Sequence, residues 1–295
     1  MPAPDDALLQ QYEQLKTDSA FVRLDSTVIE ITGKDRQPFL HNFCTNEIKG
    51  LDAGSACEAF VLNGKGKTIA HVHVLNTGES LVLHGVAGIG PALMEHLDRY
   101  IIREDVQLAD VSADKDVTFT PGESSLDPNR VLFNPDNKNI IASNIEIAGL
   151  GCLTICENVS DVEGLEVSIE ALDMLRVEQR TPWFGRDIDD SNLPQELLRD
   201  DKAISFEKGC YLGQETVARI DAMGKVNRVL VPVELDAELP AGSELMADEK
   251  AMGKLTSVTW SPLKKGWIGM AIVRRPQDVA GSVLKCGDAS VTVIQ

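Results

Sequence analysis

A cysteine between two glycines, just ahead of a helical pattern, is the stretch of this sequence best suited to chemistry. Lys208-Gly209-Cys210-Tyr211-Leu212-Gly213-Gln214-Glu215 runs on into Thr216-Val217-Ala218-Arg219. That order places the Cys210 thiol near the unpaired N–H groups and the positive dipole end of a helix start. Lys208 adds a cation nearby. Both features favour the thiolate over a thiol whose free pKa is about 8.5. Gly209 can supply a positive φ, and Gly213 allows a close backbone approach. The other reading is a packing residue in a turn, because unpaired cysteine is among the most buried residue types.

A second candidate is an acid on an apolar helix. Between Glu166 and Arg180, the residues Ala171, Met174, Leu175 and Glu178 share one face by i, i+3, i+4, i+7 spacing. A carboxylate on that face must find donors or lose its charge. Arg176 or Arg180 would supply them within the helix. The turn Gly64-Lys65-Gly66-Lys67-Thr68 suggests a phosphate loop, but the full motif needs glycine at Val61 and a helix afterwards. Thr68–Val74 alternates like a strand instead, so this is a cationic hairpin turn. His71 and His73 fall on one face of that strand. With no cysteine or carboxylate at ligand spacing, they read as solvated or hydrogen-bonded histidines, and no metal is expected.

The elements around these residues follow from periodicity. Ala7–Lys16 fits a short amphipathic helix, Phe21–Ile31 a strand, and Asp35–Asn42 a helix with Pro38 in its first turn. Glu58–Leu62, Thr68–Leu75 and Ser80–His84 form a meander joined by turn-forming residues. A helix over Pro91–Ile101 and five further strand candidates between Val106 and Cys156 precede the Glu166–Arg180 helix. Strands and helices mix without strict βαβ alternation, which predicts an α+β class. After Asn227 the chain consists of six short β-rich runs split by Gly, Pro and Asp, as in a small closed barrel. We therefore expect an α+β region over 1–225 and a β-barrel over 226–295.

Composition narrows the function. The chain has 295 residues, 43% of them hydrophobic, and a formal net charge of −18. That charge disfavours binding to a nucleic-acid backbone, which needs a dense basic face. The six cysteines show no short repeated spacing, the acidic start Met1–Asp6 lacks an apolar leader, and no apolar run is long enough for a bilayer. A cytoplasmic protein with free thiols and no membrane contact is expected.

Lys-Gly-Cys-Tyr-x-Gly-Gln-Glu at 208–215 resembles the signature of the YgfZ family, folate-binding relatives of the glycine-cleavage T-protein that support iron–sulfur enzymes. The similarity extends to Leu175–Glu178 with Pro182–Ile188, to Leu193–Glu196, to Phe39–Glu47 and to the hairpin at Leu62–Lys67. It implies a T-protein-like fold of interleaved α+β subdomains with a C-terminal antiparallel barrel. It also implies tetrahydrofolate or a one-carbon derivative as cofactor. The partners implied are iron–sulfur clients or assembly factors, tRNA-modifying enzymes among them. In that frame Glu178 is the pterin ligand, accepting a ring N–H and an amino group together. Trp183 stacks on the ring, Arg186 or Arg219 holds the carboxylate tail, and Cys210 is the functional thiol with Lys208 supporting its thiolate. T-proteins that transfer an aminomethyl group carry an acidic residue soon after the hairpin, where this chain has Ala70-His71. An accessory factor is thus expected before an aminomethyltransferase, which is the alternative.

Overall fold

The computed structural model describes residues 4–17, 20–122 and 127–295. Helix α1 (Asp6–Leu15) precedes strands β1 (Ala20–Arg23) and β2 (Ser26–Thr32). Then come α2 (Arg36–His41), β3 (Ser55–Leu62), β4 (Thr68–Asn76), β5 (Leu81–Val86), α3 (Gly90–Asp98) and β6 (Gln107–Asp110). The chain continues through β7 (Asp116–Pro121), β8 (Val131–Asn134), β9 (Asn139–Glu146), β10 (Leu150–Cys156), β11 (Leu165–Val167) and α4 (Ile169–Glu178). Helices α5 (Asp200–Ala203) and α6 (Gln214–Met223) lead to β12 (Arg228–Leu235), β13 (Glu244–Ala247) and β14 (Lys250–Ser261). The last strands are β15 (Gly266–Arg274), β16 (Val283–Cys286) and β17 (Ala289–Val293).

These strands make three sheets. One has six strands in the order β11-β1-β7-β10-β9-β8, and a second has five in the order β3-β4-β5-β2-β6. The third is a closed barrel, β12-β15-β14-β13-β16-β17, sealed by the β12–β17 pair. Because β1 lies in the six-stranded sheet and β2–β6 in the five-stranded one, the two sheets are interleaved along the chain. The class is α+β with a C-terminal antiparallel barrel.

The crossing between sheets is where the periodic reading of Phe21–Ile31 as one strand fails. The chain breaks at Leu24-Asp25: Val22 pairs with Phe119, whereas Val28 pairs with His84. Periodicity within a strand carries no information about which sheet it joins. Likewise the helix begins at Ile169 rather than Glu166, because residues 165–167 pair in parallel with β1. Ser168 caps the helix by accepting a hydrogen bond from the Ala171 N–H.

Helix α4 is shared between units. Ala171, Leu172, Met174 and Leu175 sit in the core of the six-stranded sheet with Tyr12 and Leu15 of α1. Val177 packs on Leu230, Ile268 and Met270 of the barrel. The glycine-rich hairpin has a packing role as well. Gly213 (φ +83°) lies so close that an added Cβ would come 2.6 Å from the Asn63 carbonyl oxygen, and one on Gly66 would come 2.6 Å from Thr216 Cβ. The hairpin is therefore seated on the start of α6 by direct backbone approach. No helix among the described residues is long and apolar enough to cross a membrane.

Candidate functional site

The Cys210 loop is held by a buried ammonium. Lys208 Nζ donates to the carbonyl oxygens of His41, Cys44 and Asn46 at 2.7, 2.8 and 2.7 Å, which uses all three of its protons. Burial lowers its pKa, with Cys44 and Glu47 opposing that shift. The expected role of Lys208 beside the Cys210 thiolate is thus replaced by a structural one: the ammonium is committed to the backbone after α2. Cys44 and Cys57 both feel its charge, yet burial raises both thiols, Cys44 to about 11. Cys210 itself is exposed, four residues ahead of the first residue of α6, whose N-cap is Gly213.

A second buried cation organises the turn after α4. Arg176 is fully buried and donates to Asp173, Asp187, the Thr181 carbonyl and Ser257 at 2.6–2.9 Å. Asp187 also accepts from the Trp183 N–H at 2.9 Å and from the hydroxyls of Thr256 and Ser257. One carboxylate thereby fixes the turn Trp183–Ile188 to both α4 and the barrel. The turn positions Trp183, whose indole N–H donates to the Ile147 carbonyl at 2.9 Å. Arg186 lies 5.6 Å from the Trp183 ring centroid and bonds Asp173 at 2.7 Å.

Trp183 and Arg186 line a cavity of about 790 Å³ between the two sheets, together with Arg23, Leu24, His84 and Glu146. The β1–β2 break at Leu24-Asp25 lies in its wall. A second cavity of about 630 Å³ shares His73 and Glu146 with the first. Next to both stands a buried ion-pair network. Arg199 grips Glu58 through Nε and Nη2, each at 2.5 Å, and reaches Glu146 at 3.1 Å. His71 Nε2 lies 2.6 Å from Glu58 Oε1. Burial alone would raise the Glu58 pKa, but the Arg199 hydrogen bonds and the adjacent His71 hold it well below the usual carboxylate range. The acid missing after the hairpin is thus supplied to His71 from β3, yet it is fully engaged by a guanidinium.

The structure does not bring Glu178 to the large cavity. Its carboxylate accepts from Tyr12 Oη at 2.5 Å, from the Ser261 hydroxyl and from the Leu263 N–H at 3.3 Å. The space beside it, against the barrel, is about 40 Å³. Neither Arg176 nor Arg180 is its partner: Arg176 goes to Asp173 and Asp187. Arg219 lies exposed on α6 and lines neither large cavity. Of the six residues singled out from sequence, Trp183 and Arg186 share the cavity, and Glu178, Lys208, Cys210 and Arg219 lie elsewhere. Sequence reasoning missed Glu58, Arg199, Glu146 and His84. An acid inside the apolar run Ala56–Leu62 was the available signal for Glu58.

The cavity histidines set a pH dependence. Burial depresses His73 to about 4 and His84 to about 3, and it lowers His41 and His96 as well. The unfolded chain therefore binds more protons below about pH 6.5, so stability is complete above that pH and falls as pH drops toward 4. Each buried histidine contributes a slope of at most about 1.4 kcal/mol per pH unit. Urea unfolding followed between about pH 7 and 5 should show this loss, and His84→Phe should flatten it. An unaltered slope in that variant would contradict the assignment.

Comparison with known proteins agrees with this architecture. Residues 228–295 match the family described as "CAF17, C-terminal beta-barrel domain". The chain is 24% identical over 287 residues to "Putative transferase At1g60990, chloroplastic" of Arabidopsis thaliana, covering 88% of this chain and 66% of that protein. It is 26% identical over 282 residues to "Iron-sulfur cluster assembly factor IBA57, mitochondrial" of Mus musculus, covering 85% and 76% of the two chains. The glycine cleavage system aminomethyltransferase T of Bartonella henselae superposes with a TM-score of 0.86 over 100% of this chain and 90% of its own, at 16% identity, a likeness of fold. The barrel, the interleaved sheets and these relatives make the chain similar to the CAF17 and IBA57 proteins and, in fold, to the glycine-cleavage T-protein.

Proposed function

We propose that the large cavity binds a reduced folate, tetrahydrofolate or a one-carbon derivative, and that the protein assists assembly or repair of iron–sulfur enzymes. Its clients include tRNA-modifying enzymes, and it works in the cytoplasm. The observation that carries the folate reading is the cavity itself. Its volume of about 790 Å³ lies within the range of small-molecule sites, and an indole and two guanidinium groups, Arg23 and Arg186, line it. An indole offers a stacking surface for a pterin, and a guanidinium suits the carboxylate tail. Arg186 takes the tail role that Arg219, outside the cavity, does not. The name of the mouse relative, an iron–sulfur cluster assembly factor, supports the second half of the reading. Cys210, exposed on a loop clamped by Lys208, is the thiol offered to a client or cluster. Aminomethyl transfer is the weaker reading, since the Glu58 carboxylate beside His71 is neutralised by Arg199 and is no free base.

Calorimetric titration with 5-formyltetrahydrofolate tests the folate half. Saturable one-to-one binding is expected, weakened about tenfold, ~1.4 kcal/mol, by Trp183→Ala. Glu178→Gln discriminates the site: unaltered affinity agrees with the cavity, whereas a large loss moves the pterin to the barrel side of α4. Absence of any binding by the wild type overturns the reading. For the thiol, Cys210→Ala should bind folate as the wild type does, yet fail to restore an iron–sulfur enzyme's activity in cells lacking this protein. Full restoration would make Cys210 a structural residue.

A further inference from the structure

Two imidazoles in the cavity wall have ring nitrogens with nothing to bond. His73 Nε2 and His84 Nδ1 are buried, and neither has a hydrogen-bond partner among the described residues. The residues face each other across the β4–β5 pair, their rings stacked at 20° with centroids 5.8 Å apart. His71, two positions earlier on the same face of β4, differs: its Nε2 is on Glu58 and its ring lies over Phe60, 4.7 Å between centroids. Burial keeps His73 and His84 far below the usual histidine range. At neutral pH each is an uncharged ring with one N–H and one bare nitrogen.

A buried polar atom without a partner is costly, and an apolar residue at either position would avoid that cost. The pair is therefore explained by something that reaches it from the cavity. Ser26 Oγ, 3.1 Å from His84 Nε2, sets which role the other nitrogen plays. When the hydroxyl accepts, Nδ1 is an acceptor; when it donates, Nδ1 carries the proton. A neutral wall of this kind gives no advantage to an ionic group. It suits a flat ring whose edge carries both N–H and bare nitrogen.

We infer that His73 and His84 are ligand-contacting residues that recognise the hydrogen-bonding edge of a planar nitrogen heterocycle, of pterin or purine type, held in the large cavity. This deepens the folate reading and rests on it for the occupant. It assigns recognition of the ring to the strands of the five-stranded sheet, on a wall that Glu178 does not reach.

The test is ring-nitrogen NMR of the full chain labelled with ¹⁵N-histidine, titrated separately with 5-formyltetrahydrofolate, biopterin and guanosine. Binding of 5-formyltetrahydrofolate should shift the His73 and His84 nitrogens and leave His96, outside the cavity, unmoved. His73→Phe and His84→Phe should each weaken calorimetric affinity about tenfold, at unchanged circular dichroism. If the folate binds but neither ring shifts and both variants retain full affinity, the inference fails while the folate reading stands. If the folate does not bind but biopterin or guanosine shifts the two rings, the folate reading fails and the histidine assignment holds. If none of the three compounds moves the rings, the pair is satisfied by water alone and the inference is overturned. The wild-type spectra decide even if a variant fails to fold.

Discussion

The contact on which this architecture depends is the buried pair between Arg199 and Glu58. Glu58 belongs to β3 of the five-stranded sheet, while Glu146, the second acid that Arg199 reaches, ends β9 of the six-stranded one. One guanidinium from a connecting segment thus spans both sheets. A bidentate contact suits the task, because its fork fixes orientation as well as distance. Removing either partner would leave an uncompensated buried charge, a loss of roughly 3–5 kcal/mol in comparable cases. The cavities of about 790 and 630 Å³ both border this joint through Glu146.

Two further buried cations repeat the device. Arg176 joins α4, the Trp183–Ile188 turn and the barrel through Asp187 and Ser257. Lys208 joins the Cys210 loop to the backbone at 41–46. All three lie between residues 176 and 208, the segment that threads between the sheets and the barrel. In a protein with a net charge of −18, so complete a burial of cations indicates that their acids and carbonyls were placed to receive them. The residues that line the cavity, Trp183 and Arg186, and the exposed thiol are each anchored by one of these joints. These site elements are therefore held in place by charged contacts at the seams between sheets, and each sheet has its own apolar core.

Much of the scaffold was legible because periodicity reports local geometry. The six barrel strands, the meander and α4 all follow from alternation or helical spacing. The apolar stripe through Glu178 was real, and so was its need for donors, which Tyr12 and Ser261 meet. What could not be read is which elements meet. Phe21–Ile31 has the texture of one strand but serves two sheets. Glu58 lies next to His71 only through the β3–β4 register, and Arg199 arrives from more than a hundred residues away. Lys208 adjoins Cys210 in sequence, yet its side chain points to carbonyls that sequence does not place nearby. Adjacency in sequence therefore does not fix where the Lys208 ammonium goes, which is to the backbone after α2.

If the chamber beside the Arg199–Glu58 joint receives the pterin, a crystal structure of the protein with 5-formyltetrahydrofolate should show ring density between Trp183 and the β4–β5 histidines, with Tyr12 and Ser261 still bonded to Glu178. Density for the ring at Glu178 with Tyr12 displaced, and only solvent in the large cavity, would contradict that placement.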